Sequence, residues 1–321
     1  MSSNAAPRPL PARAALRPDG LYVAARMVPP AELRDPFLQQ TIARVAGADS
    51  IIHIPRERLH DIPAAPQLVG MIFHVARCGS TLVSQALRCW PNVTIYAEPQ
   101  AFNELLLPPH PWSRAEMIGA LRALSAAFAE HAQGPCIVKF TSWNTLFCQL
   151  LVDAFPSTPW VLCLRDPIEV SVSLLRQPPA WLRPEEEPAR RIAPLFDPRP
   201  DASSAEERLA RLYGAFCAAI APLRADRGRL ARYDAMPAAI ETLVAPHFGL
   251  RTSNDAVRRC VAATANAYVK APIGQPRPFA PDSAAKRAAA SAALQQAVAR
   301  YAQPALEHLL AVHGHLPGQP A

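Results

Sequence analysis

The sequence predicts an α/β fold, a central parallel sheet flanked by helices, and three observations carry that expectation. Four short apolar runs, Met71–Val75, Asn92–Tyr96, Cys136–Phe140 and Trp160–Leu164, have the length and make-up of buried parallel strands. Segments of helical periodicity lie between them, and strands alternating with helices build a parallel sheet. The chain has 321 residues, half of them hydrophobic, enough to bury a large core around such a sheet.

Taken in order, residues 1–20 are rich in Pro, Ala and Arg and are expected to be a disordered lead-in. Residues 33–46 read as a short helix starting near Asp35-Pro36, with Phe37, Ile42 and Val45 on one side, and Ile51–Ile54 as a short strand. Residues 21–66 thus form an accessory segment on a main domain running over 67–315. Met71–Val75 is its first strand. Ala76-Arg77-Cys78-Gly79 breaks the pattern, and Ser80-Thr81 opens a helix whose Leu82, Val83, Ala86 and Leu87 share one face. Asn92–Tyr96 is the second strand, ending at Glu98-Pro99. Ser113–His131 is a helix begun by the capping pair Ser113 and Glu116. Cys136–Phe140 is the third strand, Asn144–Ala154 a helix, and Trp160–Leu164 the fourth strand, followed by Arg165-Asp166-Pro167 and a helix to about Arg176. Seven prolines in Pro178–Pro200 exclude regular helix or inner strand, and this loop, 178–202, is expected either over the mouth of the site or as a mobile linker. Ser203–Arg224 is a helix capped by Ser203 and Glu206. Gly228–Tyr233 is a last strand, Met236–Phe248 a helix, and 283–313 an Ala-rich helix interrupted at Pro304.

Strand, glycine turn, hydroxyl pair and helix start make an anion cradle, because N–H groups at a helix start lack partners and the helix dipole favours negative charge there. On the Walker A pattern the lysine position holds Ser80 and the hydroxyl is Thr81, so Arg77 is the loop's one full positive charge. The loop can hold an anion but lacks the phosphoryl-transfer lysine. The cradle, Glu98, Lys139 and Arg165 all fall at or just beyond predicted strand ends, where ligands of parallel sheets sit. Simpler roles stay open for each: an ordinary turn for the cradle, a helix cap for Glu98, a solvent-reaching lysine for Lys139. For Arg165 the simpler role is a surface pair with Asp166 or Glu169, with Ser173 solvated.

The net charge of +7 suits an anionic ligand, while the lack of dense Lys/Arg runs argues against nucleic acid. The seven cysteines show no C-x-x-C, several lie in apolar runs, and a reducing cytoplasm is the expected setting. No apolar stretch reads as a signal peptide or membrane span, and no His/Cys/carboxylate cluster has metal-ligand spacing.

In order, the cradle A-R-C-G-S-T-L, then Y-A-E-P, V-K-F-T, L-C-L-R-D-P-I-E-V-S-V-S-L-L and A-R-Y-D-A-M, the chain resembles the sulfotransferase family over roughly Val69–Leu250. These are P-loop proteins of three-layer sandwich form that use 3′-phosphoadenosine-5′-phosphosulfate, and the resemblance implies that fold and that sulfuryl donor, with no metal. Residues 76–82, hence Arg77, Cys78, Gly79, Ser80, Thr81 and Leu82, look like the family's 5′-phosphosulfate motif. Arg165 and Ser173 look like its 3′-phosphate pair, and Arg232-Tyr233-Asp234 like a strand end whose tyrosine contacts the nucleotide. A loop arginine with a downstream glutamate looks most like the tyrosylprotein sulfotransferase branch, which implies Glu98 as general base with Arg77 and Lys139 at the leaving group. Thr141 stands where the cytosolic branch carries a histidine. His74 lies within the cradle strand and reads as a core residue, and Lys270 or Lys286 could replace the cytosolic branch's C-terminal K-x-G-x-x-G. The acceptor is expected to be a small molecule or peptide, with neither nucleic acid nor membrane as partner and with oligomerisation open. Two other readings stand beside this one: a P-loop kinase of a small molecule, and a non-catalytic member that binds nucleotide or a partner protein.

Overall fold

A computed structural model describes residues 6–314 apart from 65, 67, 92, 201, 251–253, 269–277 and 281. Lys270, and Asn92 at the start of the expected second strand, lie outside the described residues. The core is a five-stranded sheet. In sheet order its strands are β5 (Thr94–Ala97), β6 (Cys136–Lys139), β4 (Leu68–His74), β7 (Trp160–Leu164) and β8 (Gly228–Arg232), and every pairing is parallel. β6 and β7 are buried at every position, which happens only when helices cover both faces. The expected α/β sandwich is therefore present. β4 sits centrally, and the chain leaves it once for the β6–β5 side and later for the β7–β8 side. Gly228 opens β8 because the Trp160 ring lies 2.1 Å from where a Cβ would stand.

The helices follow the predicted alternation in part, with Gln100–Leu106 and Asp255–Asn266 unforeseen and the expected Met236–Phe248 helix reduced to a π turn (Ile240–Val244) and a short helix. They are α1 (Leu38–Arg44), α2 (Ser80–Ala86), α3 (Gln100–Leu106), α4 (Arg114–Ala132), α5 (Cys148–Ala154), α6 (Pro167–Arg176), α7 (Glu187–Ile192) and α8 (Ala205–Ile220), followed by the short α9 (Ala245–His247). The C-terminal part adds α10 (Asp255–Asn266), α11 (Ser283–Ala288), α12 (Ala292–Ala297) and α13 (Gln303–His313). α4 starts at Ser113 with the expected capping box. α8 is capped one residue later than expected, by Ser204 with Glu207, because Ser203 instead gives its hydroxyl to Asp197. α12 and α13 pack on α8, and α10 packs on α2.

Four expectations are corrected. The segment expected to be a disordered lead-in contains β1 (Arg8–Arg17), paired antiparallel with β2 (Gly20–Val28), which pairs in turn with β3 (Asp49–Pro55). Its buried residues Leu10, Ala14 and Leu16 pack β1 on α3 and α4, and the register shift at Pro11/Arg13 hides their alternation in the sequence. Second, the proline-rich loop contains α7, since Pro188 falls in the first turn, where a missing N–H costs nothing. Third, the 283–313 segment starts a new helix at Pro304 as expected, in the first turn of α13, but is also broken between Ala288 and Ala292 and carries a π-helical turn, Val298–Ala302, between α12 and α13. Fourth, the cysteines are not all thiols: Cys89, just past α2, is bridged to Cys260 of α10. Cys78, Cys136, Cys148, Cys163 and Cys217 are buried and outside any disulfide.

His131 ties the N-terminal sheet to the domain. Its Nε2 lies 3.0 Å from the Val28 carbonyl and its Nδ1 2.8 Å from the Tyr96 hydroxyl. Burial pushes His131 down to about 4, so the neutral ring donates from Nε2 and accepts at Nδ1. No helix among the described residues is long and apolar enough to cross a membrane.

Candidate active site

Each of the five parallel strands ends at a candidate residue or within three residues before one, which puts the candidate residues at the carboxyl edge of the sheet. β4 runs into the cradle, where Ala76 (φ 63°), Arg77 (φ 50°) and Gly79 (φ 83°) are left-handed. Only Gly79 adopts that conformation without strain. Glu98 at the end of β5 is left-handed as well, at φ 53°. Of the four non-glycine residues with positive φ among those described, three are thus in or beside the candidate set, and such strain concentrates at functional sites. The first helical bond of α2 runs from Val83 N–H to the Gly79 carbonyl (3.1 Å), so the N–H groups of Ser80, Thr81 and Leu82 precede the ladder. A Cβ on Gly79 would stand 3.3 Å from the Tyr233 ring and 3.9 Å from Phe279. Arg77 donates from Nη2 to the backbone carbonyl (2.7 Å) and side-chain oxygen (2.9 Å) of Gln177, just past α6. Cys78 and Leu82 are fully buried and shape the cradle with their backbone.

β5 and β6 bring Glu98 and Lys139 together. The Glu98 N–H donates to the Lys139 carbonyl (2.7 Å), and Lys139 Nζ lies 2.5 Å from Glu98 Oε1, its side chain fully buried and 5.2 Å from the centre of the Phe37 ring. His74 Nδ1 accepts from the Ala76 N–H (3.2 Å), which leaves the proton on Nε2, 3.0 Å from the Phe140 carbonyl and 3.6 Å from Glu98. Burial pushes the His74 ring down, so it stays neutral as a core residue. Burial alone would raise Glu98, but the Lys139 charge and the two hydrogen bonds outweigh it and hold the carboxyl down at about 2. Glu98 is therefore ionised, strained and locked on a buried lysine. The capping role open from the sequence does not apply: α3 begins after Pro99, with no side-chain cap.

β7 and β8 bring Arg165 and Tyr233 together, with the guanidinium 3.7 Å from the ring centre. Arg165 donates to Glu169 (2.7 Å), to Asp282 (2.5 Å) and to the Arg77 carbonyl (3.3 Å), joining the second motif to the cradle. Glu169 also accepts from Ser283 (2.8 Å) and pairs with Arg287 (2.9 Å), while Asp282 pairs with Lys286 (2.9 Å). Ser173, the other residue expected at the 3′-phosphate, gives its hydroxyl to the Glu169 carbonyl one turn back (2.9 Å). The surface pairing left open for Arg165 is half right, since its partner is Glu169 but both side chains are buried. Asp166 instead caps α6, accepting from the N–H groups of Ile168 and Glu169.

Three parts of the site escaped sequence reasoning. Tyr268 and Phe279 join Tyr233 in an aromatic set over Gly79, with ring centres 5.3 and 5.8 Å apart. Burial pushes Tyr268 up to about 12, against a hydrogen bond with Thr81. Asp282 reaches Arg165 across 117 positions, which no local pattern reports. Thr141, in place of a histidine, starts a turn in which its N–H donates to Asn144 Oδ1 (3.0 Å). It also lines a cavity of about 940 Å³ enclosed by the N-terminal sheet, α3 and the proline-rich segment, with Trp143 and Trp181 among its walls. Tryptophan within the proline-rich run was the one available signal. Among the described residues no group of His, Cys, Asp and Glu could hold a metal ion.

No protein-family model matches the chain, and no curated protein sequence matches it. Among solved structures, it is similar to the sulfotransferase domain of a Synechococcus olefin synthase, 14% identical over 75% of this chain and 95% of that one, TM-score 0.47. It is also similar to the sulfotransferase domain of the curacin biosynthetic pathway, 13% identical over 70% of this chain and 83% of that one, TM-score 0.40. A sulfotransferase from Mycobacterium avium is 13% identical over 77% and 79%, TM-score 0.44. None of the three is a tyrosylprotein sulfotransferase. At this level of likeness the site has to be judged on its own residues.

Proposed function

We propose that the protein transfers a sulfuryl group from 3′-phosphoadenosine-5′-phosphosulfate to an acceptor hydroxyl or amine. The observation that carries this reading is the junction of the two anion motifs: the Arg165 guanidinium donates to the Arg77 carbonyl, between the cradle and the β7–β8 end. One ligand with anionic groups at both ends suits that spacing better than a triphosphate, for which the cradle lacks its lysine. The residues fit such a donor. A Cβ on Gly79 would crowd the Tyr233 ring, the N–H groups of Ser80, Thr81 and Leu82 precede the helical ladder, and three aromatic rings beside the cradle suit a purine.

Bound donor would supply the sulfuryl group, its sulfur–oxygen bond breaking as the acceptor attacks and the 5′-phosphate leaving with the electron pair. Ser80, Thr81 and the N–H groups up to Leu82 would hold that phosphate, Arg77 and Lys139 would neutralise its charge, and Arg165 with Tyr233 would hold the 3′-phosphate end. Glu98 would take the acceptor's proton. At a carboxyl pKa of about 2 it is a weak base while Lys139 is bonded to it. Once Lys139 turns to the leaving group, the charge that lowers Glu98 most is gone, and burial, opposed now by the His74 contact alone, raises it toward the range of an effective base. Lys139 thus couples the two halves of the reaction, with basicity rising where leaving-group charge is met.

Calorimetry with 3′-phosphoadenosine-5′-phosphate and with ATP, each with and without Mg²⁺, tests the reading. It expects tight, Mg²⁺-independent binding of the first and weak binding of ATP. The reverse preference would make the protein a kinase-like nucleotide binder. Tight binding with no sulfate transfer to a phenol, alcohol and amine panel would make it a non-catalytic binder.

A further inference from the structure

The cavity beside the strand ends has no assigned ligand, and its walls are chemically uneven. Its volume of about 940 Å³ is that of a drug-sized ligand site. One wall is the open face of the N-terminal sheet, where Arg13, Ala15 and Arg17 alternate along β1 and Tyr22 and Ala24 face them from β2. Trp143 and Trp181 supply two more rings, one from the turn after Thr141 and one from the proline-rich segment. Thr141 and Gln100 also line it, two residues beyond Lys139 and Glu98 respectively.

The lining charges differ in what they do. Arg13 is ion-paired with Glu104, whose carboxylate also accepts from the Ala14 N–H (2.8 Å). Arg191 donates to the carbonyls of Leu107 and Pro108. Arg17 is different: it lies over the Tyr22 ring at 4.7 Å, and among the described residues no ion pair engages it. Asp19, two residues on, accepts from the Tyr22 hydroxyl at 2.5 Å. A guanidinium lying over a ring keeps its edge N–H groups available for bidentate donation to a carboxylate.

We propose that this cavity is the acceptor site and that it selects a hydroxyl compound with a ring-shaped apolar body and an anionic group. Tyr22, Trp143 and Trp181 contact the body, Arg17 pairs with the anionic group, and the hydroxyl lies at the Thr141 end. Selectivity for a ring-shaped body and an anionic group stands on the cavity's own lining, while its part as acceptor site and the placing of the hydroxyl rest on the sulfuryl-transfer reading.

Three fluorescent probes of one shape test it on the full chain without donor: 2-naphthol, 6-hydroxy-2-naphthoate and (6-hydroxynaphthalen-2-yl)methylamine. The proposal expects the naphthoate to bind about tenfold more tightly than 2-naphthol, and the amine more weakly than both. Arg17→Gln should bring naphthoate and naphthol to equal affinity with the naphthol value unchanged, and Arg17→Lys should restore part of the preference. Trp181→Ala should weaken all three by a similar factor. Equal affinities in the unaltered protein, a preference that survives Arg17→Gln, or no binding of any probe would each overturn it. Affinity for 3′-phosphoadenosine-5′-phosphate, measured in parallel, separates the two claims. Naphthoate selectivity without nucleotide binding supports the cavity assignment and sinks the transfer reading. Nucleotide binding without probe binding does the opposite.

Discussion

At the β5–β6 end of the site one cation meets one carboxylate: Lys139, fully buried, lies 2.5 Å from Glu98, with neutral His74 beside them. At the β7–β8 end Arg165 meets two carboxylates and a ring, and one of those carboxylates, Asp282, is half exposed and comes from the segment before α11. The first pair is held by adjacent strands of one sheet, so its geometry is set by main-chain hydrogen bonding. The second is closed by a residue far along the chain, able to leave without disturbing a strand. On the proposed reading the two ion networks would take different parts, the rigid pair in proton handling and the one with the half-exposed carboxylate in admission of an anionic ligand.

The largest effect should come from breaking the rigid pair chemically. Glu98→Gln keeps the shape but cannot take a proton, so single-turnover transfer should fall by about 10²–10⁴ while nucleotide affinity changes little. Unchanged turnover would leave Glu98 as a structural partner of Lys139.

At the other end, Arg165→Ala should weaken binding of 3′-phosphoadenosine-5′-phosphate by about 10- to 100-fold, as expected for loss of a charge-assisted contact worth about 1.5–3 kcal/mol. Adenosine 5′-phosphate should lose far less. Equal losses by calorimetry would remove Arg165 from the 3′-phosphate.

Acid separates the two ends next. Glu98 has a folded pKa of about 2, below the ordinary carboxylate value, so its stabilisation is fully present above that ordinary value and is lost as pH falls toward 2. Urea unfolding between pH 5 and pH 3 should show an acid loss larger by about 2 kcal/mol in the unaltered protein than in Glu98→Gln. Asp282 is also lowered, with burial opposing its bonds to Arg165 and Lys286, but its exposure screens the effect. Asp282→Asn should therefore leave the acid slope nearly unchanged, and a flattening as large as that of Glu98→Gln would erase the contrast.

The smallest expected effect is a gain. With its carboxylate gone, Asp282→Asn leaves Arg165 and Lys286 to an incoming phosphate, and affinity for 3′-phosphoadenosine-5′-phosphate should rise by up to about tenfold. A loss would mean that Asp282 orders the site instead of competing for it.

Much of this was legible locally. The strand-to-helix break at Gly79, the glutamate after Tyr96-Ala97 and the lysine ending Cys136–Lys139 each sit where an apolar run stops, and hydrogen bonding between neighbouring strands then brings such ends together. The hairpin of β1 and β2 was legible in part: Arg17-Pro18-Asp19-Gly20 is a turn signal, and Gly20 is left-handed at φ 151°. It was missed because prolines and a register shift break the alternation that marks a strand.

By itself the sequence determined the order of the five parallel strands and of most helices between them, the chemical types at each strand end and the cradle. Those depend on runs of a few residues and on backbone preferences of glycine, serine and proline. Only the tertiary structure decided that Lys139 neutralises Glu98, that Asp282 and Arg287 close on Arg165 and Glu169, that Cys89 meets Cys260, and that the N-terminal sheet walls a cavity in which Arg17 lies over Tyr22. Each of these joins residues dozens to well over a hundred positions apart. Burial and charge act there through distance in space, on which sequence spacing places no constraint.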